Sequence, residues 1–122
     1  MNCVLIVDDS DVMRTTIADL FRYFLPQVHV LQARNGQEGV KLAQIEQPDV
    51  VLVDGNMPIM DGSATAEHLR HDKRTSHIIV IGMASANTTA DVRAGLKQFC
   101  HQLIRKPFDL PDLMQQLRKY EA

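Results

Sequence analysis

Residues 3–9 read CVLIVDD, an apolar run that ends in two aspartates. Two later apolar runs also end in charged residues, VVLVD at 50–54 and LIRKP at 103–107. If the three runs are neighbouring parallel strands, their carboxyl ends lie at one edge of the sheet, where open α/β folds place their functional groups. The sequence therefore predicts one pocket shared by three carboxylates and one ammonium, those of Asp8, Asp9, Asp54 and Lys106.

The predicted acid cluster needs a cation, because neighbouring like charges raise each other's pKa and destabilise the fold. Its candidate ligands are all oxygens, with no cysteine or histidine beside them, and this favours Mg²⁺ over zinc or copper. Lys106 is suited to lie opposite as a point charge for a bound oxyanion. A divalent metal, a nucleophilic carboxylate and a cation together indicate phosphoryl transfer.

Strand-like and helix-like patterns alternate along the rest of the chain. The predicted strands are residues 3–7, 28–31, 49–53, 78–81 and 99–104. The first predicted helix is capped by Ser10 or Asp11, the second and third cover 37–47 and 63–71, the fourth is capped by Asn87 or Thr88, and the fifth begins after Asp109. Five βα units with right-handed crossovers give a doubly wound, five-stranded parallel sheet, an α/β fold.

Two local features refine this prediction. Asn35-Gly36 is typical of a turn, so the second helix is expected to start after it. The fourth helix has a thin apolar stripe, Val92 and Leu96, and we expect it to be short or mobile.

Composition limits the function classes. A chain of 122 residues with 45% hydrophobic residues and a net charge of −2 is expected to be one globular domain, and the mild acidity argues against direct binding to nucleic acid or membrane surfaces. No apolar stretch approaches the roughly 20 residues that cross a bilayer, and no signal peptide is evident, so a cytoplasmic location is expected. Cys3 and Cys100 are expected to be reduced, partly buried thiols.

The motifs and their order resemble those of response-regulator receiver domains of two-component signalling. They are VDDS at 7–10, DGNMPIMDG at 54–62 and KPF at 106–108. The resemblance covers essentially the whole chain and is to single-domain receivers of the chemotaxis type, so one receiver domain without an output domain is expected. It implies a flavodoxin-like strand order, 2-1-3-4-5, with five helices.

The resemblance also implies roles for individual residues. Asp54 would accept a phosphoryl group from a sensor histidine kinase or a phosphotransfer protein. Asp9, Asp54 and the backbone carbonyl of Asn56 would hold Mg²⁺, with Asp8 binding it largely through water. Lys106 would pair with the phosphoryl oxygens, and the bond from Lys106 to Pro107 would be cis. A downstream protein would bind the surface of the fourth helix, fifth strand and fifth helix, and the only chemistry expected is self-catalysed phosphotransfer and autodephosphorylation.

Two residues depart from the family pattern. Ala84 occupies the position where these domains normally carry Thr or Ser, and Ser85 follows it. Ser85 can substitute only if the chain has left regular strand geometry, because strand neighbours point to opposite faces. Leu103 replaces the usual aromatic residue, so the Thr–aromatic relay has lost its polar groups. We expect Asp54 to be phosphorylated while the signal is transmitted differently or weakly.

Two other functions remain open. The first is an adaptor with a receiver fold that acts independently of phosphate, which Ala84 and Leu103 would suit. The second is a phosphatase of the haloacid-dehalogenase type, which also uses an aspartate nucleophile and Mg²⁺. That chemistry requires a second carboxylate two residues after the nucleophile, where this chain has Asn56.

Overall fold

The computed structural model describes residues 1–120 and shows five strands alternating with five helices. The strands are β1 (Cys3–Val7), β2 (His29–Ala33), β3 (Val50–Asp54), β4 (Ile79–Ala84) and β5 (Gln102–Arg105). The helices are α1 (Asp11–Phe24), α2 (Gly36–Glu46), α3 (Gly62–His71), α4 (Ala90–Phe99) and α5 (Leu110–Arg118). None of these helices combines the length and apolarity that crossing a bilayer requires.

All strand pairs are parallel, in the order β2-β1-β3-β4-β5, which confirms the predicted flavodoxin-like sheet. Alternate residues of the central strands enter two separate cores. Val4 and Ile6 pack with α1 and α5 on one face, whereas Leu5 and Val7 pack with α2 and α3 on the other. Because both faces are covered, β1 and β3 can be apolar without interruption until their terminal acids.

The second helix begins one residue earlier than predicted. Gly36 is its first residue, and the Asn35 side chain caps it by accepting a hydrogen bond from the backbone N–H of Glu38. The expected Asn-Gly turn is therefore wrong, since the asparagine acts as a helix N-cap. At the other end Gln47 adopts a left-handed conformation with φ 52° and ends the helix before Pro48.

The fourth helix is ten residues long, the same length as α3, so it is not short, and its mobility stays a prediction. It is capped by Thr89 rather than by Asn87 or Thr88. Its Gly95 lies so close to Ser63 of α3 that a Cβ atom there would collide with the serine side chain. Close packing against α3 supports this helix despite its thin apolar stripe.

The longer fourth helix also shortens the last strand. Phe99 is helical, and the backbone N–H of Cys100 continues the turn by donating to Leu96. β5 therefore begins at Gln102, three residues later than predicted, and has only four residues. β4 also differs from the prediction, because it extends to Ala84 rather than to Ile81. Both strands occupy the predicted positions in the order of elements, and only their bounds differ.

Both cysteines are free thiols, as predicted. Cys100 packs against Gly82 of β4, and burial raises its pKa to about 12. The pKa of Cys3 is also raised, by burial and by the negative charge of Asp49.

Candidate functional site

Three strands bring the predicted charged residues to one edge of the sheet. The strand register places Val7 beside Val53 and Ala84 beside Arg105, so β1, β3 and β5 all end at about the same level. Asp8 follows β1, Asp54 is the last residue of β3, and Lys106 follows β5. The backbone N–H of Lys106 donates to the carbonyl of Ala84 (2.7 Å), which fixes the start of the lysine side chain.

The Lys106 ammonium bridges two buried carboxylates. Its Nζ lies 3.0 Å from Oδ2 of Asp8 and 3.1 Å from Oδ1 of Asp54. Asp8 is fully buried, Asp54 is 5% exposed, and the Lys106 side chain is 12% exposed. Buried charges interact more strongly than charges in water. The ammonium of Lys106 is therefore held close to any group that is bound to Asp54.

A third acid, Asp9, completes the cluster from the exposed side. One carboxylate oxygen from each of Asp8, Asp9 and Asp54 lies within 4.8 Å of the others. Burial and the charge of Asp8 raise the pKa of the Asp54 carboxyl, although Lys106 and the backbone N–H of Asn56 act in the opposite direction. Three carboxylates with one ammonium, which contacts two of them, leave an excess of negative charge.

These residues fit a hard divalent cation. The donors are carboxylate oxygens, they are close enough to share one ion, and three carboxylates lie around a single ammonium. Asn56 lies in the loop after β3 with its backbone N–H directed at Asp54. Ligation by its backbone carbonyl remains a prediction.

An arginine that the sequence analysis did not single out lies behind the cluster. Arg14 of α1 is buried and donates from Nη1 to the backbone carbonyl of Asp8 (3.0 Å). It also donates to Asp11 (2.6 Å) and to Gln32 of β2 (3.1 Å). The available signal was a charged residue on the inward face of α1, between Met13 and Ile17.

Ser85 lies just beyond the end of β4, where the chain has left strand geometry. Ala84 is the last strand residue, is fully buried and carries no hydroxyl. The Ser85 hydroxyl accepts a hydrogen bond from Nδ2 of Asn56 (3.1 Å) and donates to Oδ1 of Asn87 (2.5 Å). Ser85 could replace the missing hydroxyl only if it lay outside regular strand geometry, and it does. Leu103 lies on β5 opposite Gly82 and carries no polar group.

The loop between β3 and α3 closes tightly over the backbone of Asp54. The N–H of Gly62 donates to the carbonyl of Gly55 (3.1 Å), and a Cβ atom on Gly62 would collide with the Asp54 carbonyl. Ile59, at the tip of the loop, is fully exposed and has φ 68°. The Lys106–Pro107 bond is cis, as the resemblance implies.

The chain is similar to known proteins over nearly its whole length. The family model described as "Response regulator receiver domain" matches residues 4–118. The chain is 36% identical over 111 residues to Protein PilH of Pseudomonas aeruginosa, covering 91% of this chain and 90% of PilH. It is 32% identical over 120 residues to the nitrate/nitrite response regulator protein NarL of Escherichia coli, covering 98% of this chain and 54% of NarL.

The fold is likewise similar to a solved chemotaxis protein. CheY4 of Vibrio cholerae superposes with a TM-score of 0.84 at 25% sequence identity, covering 98% of both chains. PilH and CheY4 have nearly the length of this chain, but the chain spans about half the length of NarL.

Proposed function

The chain belongs to the response regulator receiver domain family, and we propose that it is a signalling switch in which Asp54 accepts a phosphoryl group. The observation that carries the proposal is the contact of one ammonium, that of Lys106, with both Asp8 and Asp54 inside the acid cluster. Receiver domains are in general phosphoacceptors rather than enzymes with turnover, and this arrangement suits a single transfer.

Asp54 would act as the nucleophile. One of its carboxylate oxygens attacks the phosphorus of a phosphohistidine on a sensor kinase or phosphotransfer protein, the P–O bond forms and the P–N bond breaks. The leaving imidazole takes up a proton. Lys106 lies 3.1 Å from Asp54 and stabilises the negative charge on the transferred oxygens through the same ammonium that already contacts the acceptor.

We further propose that Asp9 and Asp54 hold Mg²⁺ with the backbone carbonyl of Asn56, and that Asp8 binds it largely through water. The ion would neutralise the excess carboxylate charge and the phosphoryl oxygens. Asp8 contributes in a second way, because its fully buried carboxylate fixes the position of Lys106. Arg14 in turn fixes the backbone of Asp8.

The signal is proposed to reach a downstream protein through the face formed by α4, β5 and α5. Two segments connect this face to the site. β5 leads directly into Lys106, and the segment before α4 contains Ser85. Partner binding would therefore respond to the occupancy of Asp54.

The site contains features that favour one alternative function and disfavour the other. A phosphate-independent adaptor is favoured by the buried methyl group of Ala84 and by Leu103. A phosphatase is disfavoured because Asn56 has no titratable proton and its side chain is bonded to Ser85.

Treatment with acetyl phosphate and Mg²⁺, followed by intact-mass measurement, tests the proposal. We expect one added phosphoryl group, which Asp54→Asn abolishes. A matched control is Asp61→Asn in the same loop, where the side chain only caps α3 and asparagine caps equally well. An unmodified wild-type protein would support the adaptor, repeated hydrolysis of a phosphomonoester would support the phosphatase, and modification that survives Asp54→Asn would refute the assignment of Asp54.

A further inference from the structure

An open groove on the surface between α1 and α5 is lined mainly by apolar side chains. Its volume is about 460 Å³, and two of its seven lining residues, Asp109 and Arg118, are charged. The other five are apolar, namely Leu20 and Phe24 of α1 and Leu110, Pro111 and Met114 of α5. Within residues 1–120, no side chain of α4 or β5 lines this groove.

Two exposed aromatic side chains lie at the end of α1, on its side of the groove. Phe24 is 57% exposed, and its neighbour Tyr23 is 79% exposed. Their rings pack edge to face with centroids 4.8 Å apart. Large exposed apolar groups beside an apolar groove are typical of an interaction surface, and aromatic side chains contribute strongly to binding. Asp19 and Arg22 pair with each other at 3.6 Å, so this part of α1 has no net charge that would repel a partner.

Charges of opposite sign lie at the two ends of α5. Asp109 and Asp112 lie at its start, and Arg118 and Lys119 lie at its end. This placement suits the helix dipole. In the part of the chain that the structure describes, none of the four side chains makes an ion pair. Their charges are therefore available to a partner.

The order of these charges matches α5 to a second copy of itself. Met114 lies five residues after Asp109 and four residues before Arg118, which along a helix is about 7.5 Å and about 6 Å. If two α5 helices pack antiparallel about a two-fold axis at Met114, Asp109 of each copy comes level with Arg118 of the other. Parallel helices would instead bring like charges together at both ends, which is unfavourable.

We propose that the groove between α1 and α5 is the interface of a two-fold dimer of this chain. Leu20, Phe24 and Met114 form its apolar centre, and two pairs of Asp109 with Arg118 form its charged rim. Methionine adapts its shape readily, so Met114 of each copy can fill the groove of the other. The interface is isologous, so each contact occurs twice.

This dimer goes beyond the proposed function, because it does not require phosphorylation of Asp54. It also leaves α4 and β5 exposed, since neither contributes to the groove. A dimer and a downstream protein bound to those two elements are therefore compatible.

Sedimentation velocity of the full chain tests the proposal, in EDTA and without a phosphoryl donor, from micromolar to millimolar concentration. We expect a reversible equilibrium between monomer and dimer. Phe24→Glu should raise the dissociation constant about tenfold or more, because each dimer would bury two uncompensated carboxylates. The matched control is Ile45→Glu, at an exposed apolar residue of α2 on the other face of the sheet, which should dimerise as the wild type does.

A charge exchange tests the antiparallel pairing. Arg118→Glu and Asp109→Lys each place like charges at both rims of the dimer, so each variant alone should dimerise about fivefold or more weakly than the wild type. An equal mixture of the two variants restores both opposite-charge pairs, and we expect its heterodimer to regain most of the wild-type affinity. Asp109 also caps α5 by accepting from the N–H of Asp112. Recovery in the mixture shows that loss of this cap does not cause the weakening.

Three results would overturn the dimer. The first is a chain that stays monomeric at millimolar concentration. The second is a dimer that Phe24→Glu leaves intact, because it would use another surface. The third is a mixture of the charge variants that does not recover, because the two α5 helices would then not be antiparallel. All three leave the phosphorylation of Asp54 untouched, so they are distinguishable from a failure of the proposed function.

Discussion

Replacing Asp54 with asparagine should make the metal-free protein more stable at neutral pH. Burial and the charge of Asp8 raise the pKa of Asp54, so the folded protein favours the neutral carboxyl. A carboxyl with a raised pKa stabilises the fold fully when the pH is below its unfolded pKa, near 3.8. This stabilisation is lost as the pH rises through the raised pKa of the folded protein. At neutral pH the ionised carboxylate therefore opposes folding, and asparagine removes this opposition.

The size of the effect follows from three opposing contributions. Removing repulsion from Asp8, whose nearest oxygen lies within 4.8 Å, is worth about 3.5 kcal/mol at an effective dielectric constant of about 20. Losing the attraction to Lys106 at 3.1 Å costs about 5 kcal/mol on the same scale. Relief of the burial of a charged group returns about 3 kcal/mol. The net gain is about 1–2 kcal/mol, or roughly 3–8 °C in melting temperature.

Mg²⁺ should reduce this difference in stability between the wild type and Asp54→Asn. A ligand that binds only the folded protein stabilises it by about 1.4 kcal/mol at a tenfold excess over its dissociation constant. Asp54→Asn has one ligating carboxylate fewer, so its stabilisation by millimolar Mg²⁺ should be smaller than that of the wild type. Asp61→Asn, which keeps the whole cluster, should respond to the metal as the wild type does.

Thermal and urea unfolding in EDTA and in MgCl₂ measure these differences directly. If Asp54→Asn melts below the wild type in EDTA, the balance of charges inferred for the site is wrong. If Mg²⁺ raises all three melting temperatures equally, the ion does not bind at the acid cluster.

Three further predictions concern the loop over the site and the start of β5. Gly62→Ala should destabilise the protein by about 1–3 kcal/mol in urea unfolding and slow phosphorylation, because its methyl group displaces the backbone of Asp54. Ile59→Asn should stabilise the protein by about 1 kcal/mol, because Ile59 is fully exposed at φ 68° and asparagine tolerates that conformation better. Burial and the charge of Arg70 lower the pKa of His101. The neutral imidazole therefore stabilises the fold fully above the unfolded pKa of about 6.5, and this contribution should decline as the pH falls through the lowered value. Arg70→Gln should raise the midpoint of the His101 NMR titration.

Each of these predictions has a contrary result. Unchanged unfolding of Gly62→Ala would mean that the loop relaxes without strain. A less stable Ile59→Asn would mean that the isoleucine makes contacts that outweigh its backbone conformation. A His101 midpoint that Arg70→Gln leaves in place would assign the shift to burial alone.

The sheet was predictable because its pattern is produced by burial on both faces. Residues 50–53 are apolar without interruption and then end in Asp54, a pattern that solvent-exposed strands do not show. The parallel order then placed the acids and Lys106 at one edge, and the structure brings them together. Their roles in phosphoryl transfer and metal binding are predictions still.

The wrong predictions of element bounds arose where one local sequence pattern is compatible with two structures. Asn35-Gly36 is typical of a turn and equally of a capped helix start, and in the structure Asn35 caps the helix while Gly36 packs closely against Thr65 and Met60. Phe99 suits either a strand or the last turn of α4. The contacts of Arg93 with Ser85 and of Arg14 with Asp8 depend on tertiary placement, which hydrophobic periodicity does not encode.

The two thiols have a practical consequence for following α4 in solution. With a pKa of about 12, Cys100 is a reactive thiolate in roughly 1 molecule in 100,000 at pH 7. Cys3 is also less reactive than an ordinary cysteine, because its pKa is raised. An engineered cysteine at exposed Lys97 would therefore take up a fluorophore or spin label selectively, and the native thiols can stay in place while the label reports on the helix.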